Sequence, residues 1–235
     1  MTKAYKFTLL IVLVCINLFA AAQEDVNTLI KKVSAKIDKV NNYEANGKMK
    51  TNVTFLKVPE SVVKIYFKKP NQLKIKNEKG ISFVPKGAVS INLSNFINGG
   101  KYTAINAGAD KIGSTVVRVV KLLPIDDNAD VVLSTVYIDE ANLVIIKAKT
   151  TTRENGSYQL EMNYGRYIAF GLPDKIIFTF NAKDYKLPKG ITFDFDDGKE
   201  MKKTTPDNLK KNQGMAEIIF DSYNINKGVA DSFFK

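Results

Sequence analysis

The chain has 235 residues, a formal net charge of +11, one cysteine, and neither histidine nor tryptophan. Without histidine the commonest general base and the commonest metal ligand are both missing, so histidine-based catalysis and histidine metal sites are excluded. The basic residues are lysines apart from Arg118, Arg153 and Arg166, and base-reading proteins favour the arginine fork, so nucleic acid is not an expected partner.

Residues 1–22 read as a cleaved secretory signal. Lys3 and Lys6 form a basic start, 7–19 is apolar apart from Thr8 and Asn17, and Ala20, Ala21 and Ala22 supply a small-residue cleavage pattern. The apolar run is shorter than the ~20 residues of a spanning helix, and no later stretch is long enough to span. Cys15 follows the bulky Val14 inside this run, so lipidation there is not expected. The expected mature chain, 23–235, is exported, soluble and a single domain. It has no cysteine, hence no disulfide, thiol nucleophile or thiolate metal site. Removing Lys3 and Lys6, with no acid in 1–22, leaves it at +9. A lysine-rich exterior suits an anionic membrane surface, an acidic partner, or simply solvated strand faces.

Residues 24–41 predict an amphipathic helix. Val26, Leu29, Ile30, Val33, Ile37 and Val40 recur at helical spacing, with Lys31, Lys32, Lys36 and Lys39 largely opposite. Glu24 and Asp25 put acids at its start, and Asn41 and Asn42 end it. The period then changes to two. A long strand is predicted over 43–57, with Val53 and Phe55 among its apolar positions, followed by a turn at Pro59 and Glu60. In IYFKKPNQLKIK (65–76), Ile65 and Phe67 share one side, and Lys64, Tyr66 and Lys68 the other. Beyond the Pro70 turn, Leu73 and Ile75 alternate with Lys74 and Lys76, the pattern of a half-buried hairpin. Further strands are expected at 81–85, which holds Phe83, and at 88–94.

The middle region reads differently. VVRVVKLLP (116–124) is apolar except for Arg118 and Lys121. With Ser114 as a cap and Pro124 as a stop it predicts a short buried helix, although its valines also suit a strand. Strands resume at 131–138, 143–152, 157–165, 174–184, 191–195 and 215–225, joined by turns at 139–142 and 154–156 and by a lysine-rich loop at 199–212. In 157–165, Tyr158, Leu160, Met162 and Tyr164 share a face, and in 174–184 Phe178 and Phe180 do. An antiparallel meander of about ten strands should curl into a barrel or half-barrel.

Three short motifs invite chemistry and are read as structure. GADKIGST (108–115) has phosphate-loop glycines but no lysine before Ser114, and reads as a loop before a helix. DDNAD (126–130) begins like a calcium loop, yet the sixth place is Val131 and the twelfth Tyr137, so a polar turn is expected. DFDDGKE (194–200) groups acids, but Asp-Gly at a strand end is ordinary turn chemistry. No catalytic residue, metal site or cofactor is expected. Enzyme action would rest on the 194–200 acids alone.

AKIDKVNNYEANGKMK (35–50), followed by YFKKPNQLKI (66–75), resembles the LolA-like periplasmic lipoprotein carriers. Their leading amphipathic helix ends similarly, an aromatic opens the first strand, and the second ends in basic-basic-Pro-Asn. The LLP segment, the SYQLEM strand and the terminal YNINKGV also fall where that family has a lid helix, barrel strands and a final segment. The resemblance implies a mainly β fold: a half-open antiparallel barrel around a hydrophobic cavity, lidded by helices. It implies a monomeric, non-enzymatic carrier that takes lipoprotein acyl chains from an inner-membrane transporter to an outer-membrane receptor. The alternative is a binding or sensing module of the same fold for another lipid or hydrophobic ligand.

On that reading the cavity is lined by Val53, Phe55, Ile65, Phe67, Leu73 and Ile75, and by Phe83, Tyr158, Leu160, Met162, Phe178 and Phe180. The lid consists of the helix with Leu29, Val33 and Ile37 and of the 113–123 segment with Val116, Val120 and Leu123. In the best-known members an arginine before the turn proline ties lid to barrel. Lys69 stands there in this chain, a point charge without the planar fork.

Overall fold

The computed structural model describes residues 25–53, 56–70, 72–77, 102–154, 156–181 and 213–234. The expected signal at 1–22, Phe55, Phe83, the strands at 81–85, 88–94 and 191–195, the acids of 194–200 and the 199–212 loop lie outside these residues.

The helix, α1 (Val26–Ile37), is shorter than its apolar period. Asp25 stands just outside it as the N-cap, its carboxylate accepting from the amides of Asn27 and Thr28 at 3.1 Å each. Ten strands follow: β1 (Asn42–Val53), β2 (Leu56–Lys68), β3 (Gln72–Asn77), β4 (Tyr102–Ile112), β5 (Thr115–Pro124), β6 (Val131–Asp139), β7 (Val144–Thr152), β8 (Ser157–Asn163), β9 (Lys175–Asn181) and β10 (Gln213–Ile225). They form one antiparallel sheet in the order β3-β2-β1-β10-β9-β8-β7-β6-β5-β4. The edge strands β3 and β4 do not pair among the described residues, so the sheet stays open.

Its curvature follows from what α1 touches. A helix is about 10–12 Å across, whereas seven neighbouring strands laid flat would span about 29 Å. Yet Val26, Leu29, Ile30 and Val33 share one buried cluster with side chains from every strand between β5 and β10, and Tyr102 and Ala104 of β4 pack against it. One helix can hold this position only if the sheet wraps round it. The sheet is a half-barrel with α1 on its inner face.

Two expectations fail. The segment 113–123 is not a helix. Gly113, at φ +60, and Ser114 form the turn of a β4–β5 hairpin, and VVRVVKLLP is strand β5. Four β-branched valines in six residues lose less χ1 freedom in a strand than in a helix. The result separates the expected lid residues. Val120 is buried in the first cluster, whereas Val116 is 68% exposed and Leu123 points outward. Nor do Pro59 and Glu60 form a turn; they lie inside β2. Met49 pairs with Ser61 and Thr51 with Val58, so Pro59 and Glu60 occupy a bulge opposite Lys50. A bulge suits a residue with no amide proton to give the ladder. A second bulge, on the β10 side of β1, brings strands so close at Gly47 that a Cβ would lie 2.5 Å from the carbonyl oxygen of Ile219.

The buried-helix and edge-hairpin assignments of 113–123 differ in consequence. Val116→Ala should change stability by no more than about 0.5 kcal/mol in a urea titration. Phe178→Ala, which empties a fully buried site, should cost about 3–5 kcal/mol.

Candidate functional site

The inner face carries two adjoining apolar clusters. The first lies beneath α1 and includes Leu160 and Met162 of β8 and Phe178 and Phe180 of β9, with Tyr158 packed at its margin. The second lies on β1, β2 and β10, where Ala45, Met49, Val63, Ile65, Phe220 and Tyr223 are buried and Leu73 and Ile75 of β3 pack against them. Ile176 touches both. The period-two alternation is the cause: in the β2–β3 register Ile65 faces Ile75 and Phe67 faces Leu73, while the intervening lysines turn outward. The described side chains expected to line a cavity thus share one face. Val53 ends β1.

Between the clusters, at the C-terminal end of α1, is a crevice of about 80 Å³. Ile37 and Val40 roof it, Tyr43, Phe67, Leu73, Phe220 and Tyr223 form one wall, and Met162, Tyr164, Ile176 and the loop Gly171, Leu172 and Pro173 form the other. Its aromatic wall is tightly interlocked. Tyr43 lies 5.2 Å from Phe67 and 5.3 Å from Tyr223, and Tyr223 stacks on Phe220 at 4.9 Å. The tyrosine hydroxyls are spent on the scaffold: Tyr223 donates to the Pro173 carbonyl at 2.8 Å and Tyr164 to that of Ile145 at 2.9 Å. Burial pushes the Tyr43, Tyr164 and Tyr223 phenols well above their ordinary range, so the wall is uncharged. The crevice is much smaller than the roughly 300–1,000 Å³ of a ligand pocket, because Leu29, Ile30 and Val33 fill the space beneath α1.

Polar ties hold the end of α1. Lys69 Nζ donates to the Asp38 carbonyl at 2.7 Å and lies 3.2 Å from the Asp38 carboxylate. Asp38 is the C-cap of α1, so the cation meets the negative end of the helix dipole. Lys36 Nζ donates to the Asn142 carbonyl in the β6–β7 turn. The linker from α1 to β1 is clasped by Asn226, which follows β10 at φ +56. Its Oδ1 accepts from the amides of Asn41 (2.7 Å) and Asn42 (3.3 Å), and its Nδ2 donates to the Lys39 carbonyl at 2.8 Å. Lys69, singled out in the sequence through the proline turn, contacts the end of α1. Sequence reasoning missed Lys36, Asn226 and the tyrosine wall, since their partners lie far away in the chain.

The DDNAD motif is a polar turn. Asp126 accepts from the Asn128 amide at 2.9 Å, and the Arg153 guanidinium holds the carbonyls of Asp127 and Ala129.

No family model matches the chain, and no curated protein sequence matches it significantly. Solved structures do match its fold. They include a domain from Vibrio parahaemolyticus described as an outer membrane lipoprotein-sorting protein, with a TM-score of 0.56 at 12% identity over 89% of this chain and 95% of its own. A LolA superfamily protein from Nitrosomonas europaea gives 0.55 at 10% identity over 91% and 98%. A DUF1329 family protein from Desulfovibrio piger gives 0.56 at 10% identity over the same shares. The chain has the LolA-like fold, an open antiparallel half-barrel with a helix against its inner face.

The clasp can be tested directly. Asn226→Ala removes three hydrogen bonds from the linker, so local opening should rise about tenfold for a net loss of roughly 1.5 kcal/mol. Trypsin should then cut the native protein after Lys39 about tenfold faster; an unchanged rate would show that Asn226 does not hold the linker.

Proposed function

We propose that this protein is a periplasmic carrier that binds lipoprotein acyl chains on the inner face of the half-barrel, with α1 as a displaceable plug. The observation that carries this reading is that one described helix, tied at its end by part-exposed polar contacts, covers the first of two adjoining apolar clusters on the inner face. Burial of Val26, Leu29, Ile30 and Val33 stabilises the closed state by about 6–12 kcal/mol. A 16-carbon acyl chain taking their place would recover up to about 12 kcal/mol at ~0.8 per methylene. The two states are then close in free energy, as a carrier that must both load and release requires. The Lys69–Asp38 pair is part-exposed and adds no more than about 1 kcal/mol to closure.

The crevice at Ile37, Tyr43 and Phe67 marks where an acyl chain would enter. The LolA-like fold and its lipoprotein-sorting neighbour support this cargo, the periplasmic setting after removal of 1–22, and a role without catalysis. An inner-membrane transporter and an outer-membrane receptor are the partners the same reading implies. No cofactor or metal enters it, and one chain, 23–235, suffices as a monomer.

Native mass spectrometry of the protein from its own periplasm should find about one acylated ligand per chain, identified after solvent extraction. An empty protein that also takes up no fluorescent fatty acid would contradict the proposal and leave the inner face as ordinary core. A reversible lock gives a sharper result. A Cβ at Gly171 would lie 3.4 Å from Ile37 Cγ1, so Ile37→Cys with Gly171→Cys can bridge helix and loop, at a cost of about 1–2 kcal/mol for a side chain at φ +67 that both redox forms share. The oxidised variant should refuse fatty acid and the reduced one should accept it. Equal uptake in both forms would exclude movement of α1.

A further inference from the structure

A chain frays beyond its last strand unless it is tied down. Past β10, residues 226–234 are tied at two places. The first is the linker that follows α1. Asn226 clasps it, and the Asn226 amide also donates to the Asn42 carbonyl at 2.8 Å. Next, the Gly228 amide donates to Asn42 Oδ1 at 2.8 Å. Gly228 turns the chain at φ +88, a conformation that suits glycine, and Val229 is buried.

The second tie is on the outer face of the sheet. Tyr66 alternates in β2 with the inward Ile65 and Phe67, yet it is only 5% exposed. Phe233 covers it, the two rings stacking 4.3 Å apart at an interplanar angle of 10°. Lys76 Nζ of β3 lies 4.7 Å from the Phe233 ring and 5.6 Å from that of Tyr66. Lys68 of β2 pairs with the exposed Asp231 at 2.6 Å. This foot is held by ring stacking, cation–π attraction and a solvent-screened ion pair, contacts weak enough to break and re-form.

We propose that the C-terminal tail is a latch on α1. The foot at Phe233 keeps Asn226 seated on the α1–β1 linker, so releasing the foot loosens the plug. Asn226 sits at φ +56, in the left-handed region that a non-glycine residue keeps when its surroundings fix it. On one side β10 fixes it; on the other the tail does. With the foot free, fraying from the chain end reaches Gly228 and then Asn226 without breaking any strand pairing. Coupling between two sites is reciprocal, so displacing α1 loosens the foot in turn. The state of the inner face is thereby legible on the outer one. The use of the latch rests on the reading of α1 as a displaceable plug; the coupling of foot to clasp does not.

Hydrogen exchange of the ligand-free protein tests that coupling. It is read at the Asn41 amide, which donates to Asn226 Oδ1, and at the Gly228 amide. Phe233→Ala should speed exchange at both by about fivefold, with β8 and β9 unchanged. Asn226→Ala should speed the Phe233 amide, which donates to the Ala230 carbonyl, by a similar factor. Adding Phe233→Ala to Asn226→Ala should make Asn41 no faster than Asn226→Ala alone. Phe233→Tyr keeps the stacked ring and should behave as the native chain. A faster Gly228 with an unchanged Asn41 would show an uncoupled tail and overturn the proposal. So would an equal rise in β8 and β9, the mark of general destabilisation. Fatty-acid uptake is a separate readout, and Phe233→Ala should load about fivefold faster. Equal loading rates despite a faster Asn41 would overturn the latch's hold on α1. No uptake by either form would contradict the plug, and the exchange result would still decide the coupling.

Discussion

Everything in this molecule follows from the need to cover the inner face of an open sheet. Ten antiparallel strands with period-two alternation present one apolar face that cannot be left to water. In a closed barrel, strands on the far side would cover it. Here the edges β3 and β4 remain apart among the described residues, and α1 supplies much of the cover beneath which Phe178 and Leu160 are buried. The helix is therefore part of the core yet, among the described residues, is not woven into the sheet ladder. Strands are joined to neighbours by rows of backbone hydrogen bonds, whereas α1 is held by side-chain burial and by a few polar ties at its end.

That division of labour gives the fold its capacity for function. Side-chain burial is non-directional, so another apolar body of similar size can replace it. The ties made by Lys69, Asn226 and Lys36 are specific, and these three lie at one end. Lys69 meets the helix C-cap, and Asn226 clasps the linker that follows. Displacing α1 thus needs a local rearrangement near residues 36–42 rather than disruption of the sheet. The crevice lies at that same end, between Ile37 and the tyrosine wall. On the proposed carrier reading, the lysine that stands where the resembling family has an arginine makes a looser tie, as a displaceable plug would need.

Much of this was legible in the sequence wherever a local pattern controls the outcome. β6, β7, β8 and β10 lie close to where alternation and turn residues put them. The hairpin at Pro70 has the expected register, with Ile65 facing Ile75. The apolar stripe of α1 lies against the core as its spacing requires. What could not be read was settled by long-range packing. VVRVVKLLP suits both a helix and a strand, and pairing with β4 and β6 decides for the strand. Pro59 reads as a turn but occupies a bulge, because Met49 and Thr51 fix the register on either side of it. The clasp at Asn226 joins positions 184 or more residues apart, and no local spacing encodes it. The inner face was visible as a periodicity, but whether space or a helix fills it was not.

The central claim is that α1 opens independently of the sheet, and hydrogen exchange of native protein measures this most directly. The account predicts that α1 amides exchange through a sub-global opening of lower free energy than that of β8 and β9. Loading with fatty acid should alter exchange in α1 and in the 38–42 linker. Exchange of α1 at the same free energy as the central strands, unaffected by fatty acid, would make α1 a fixed part of the core and contradict the account.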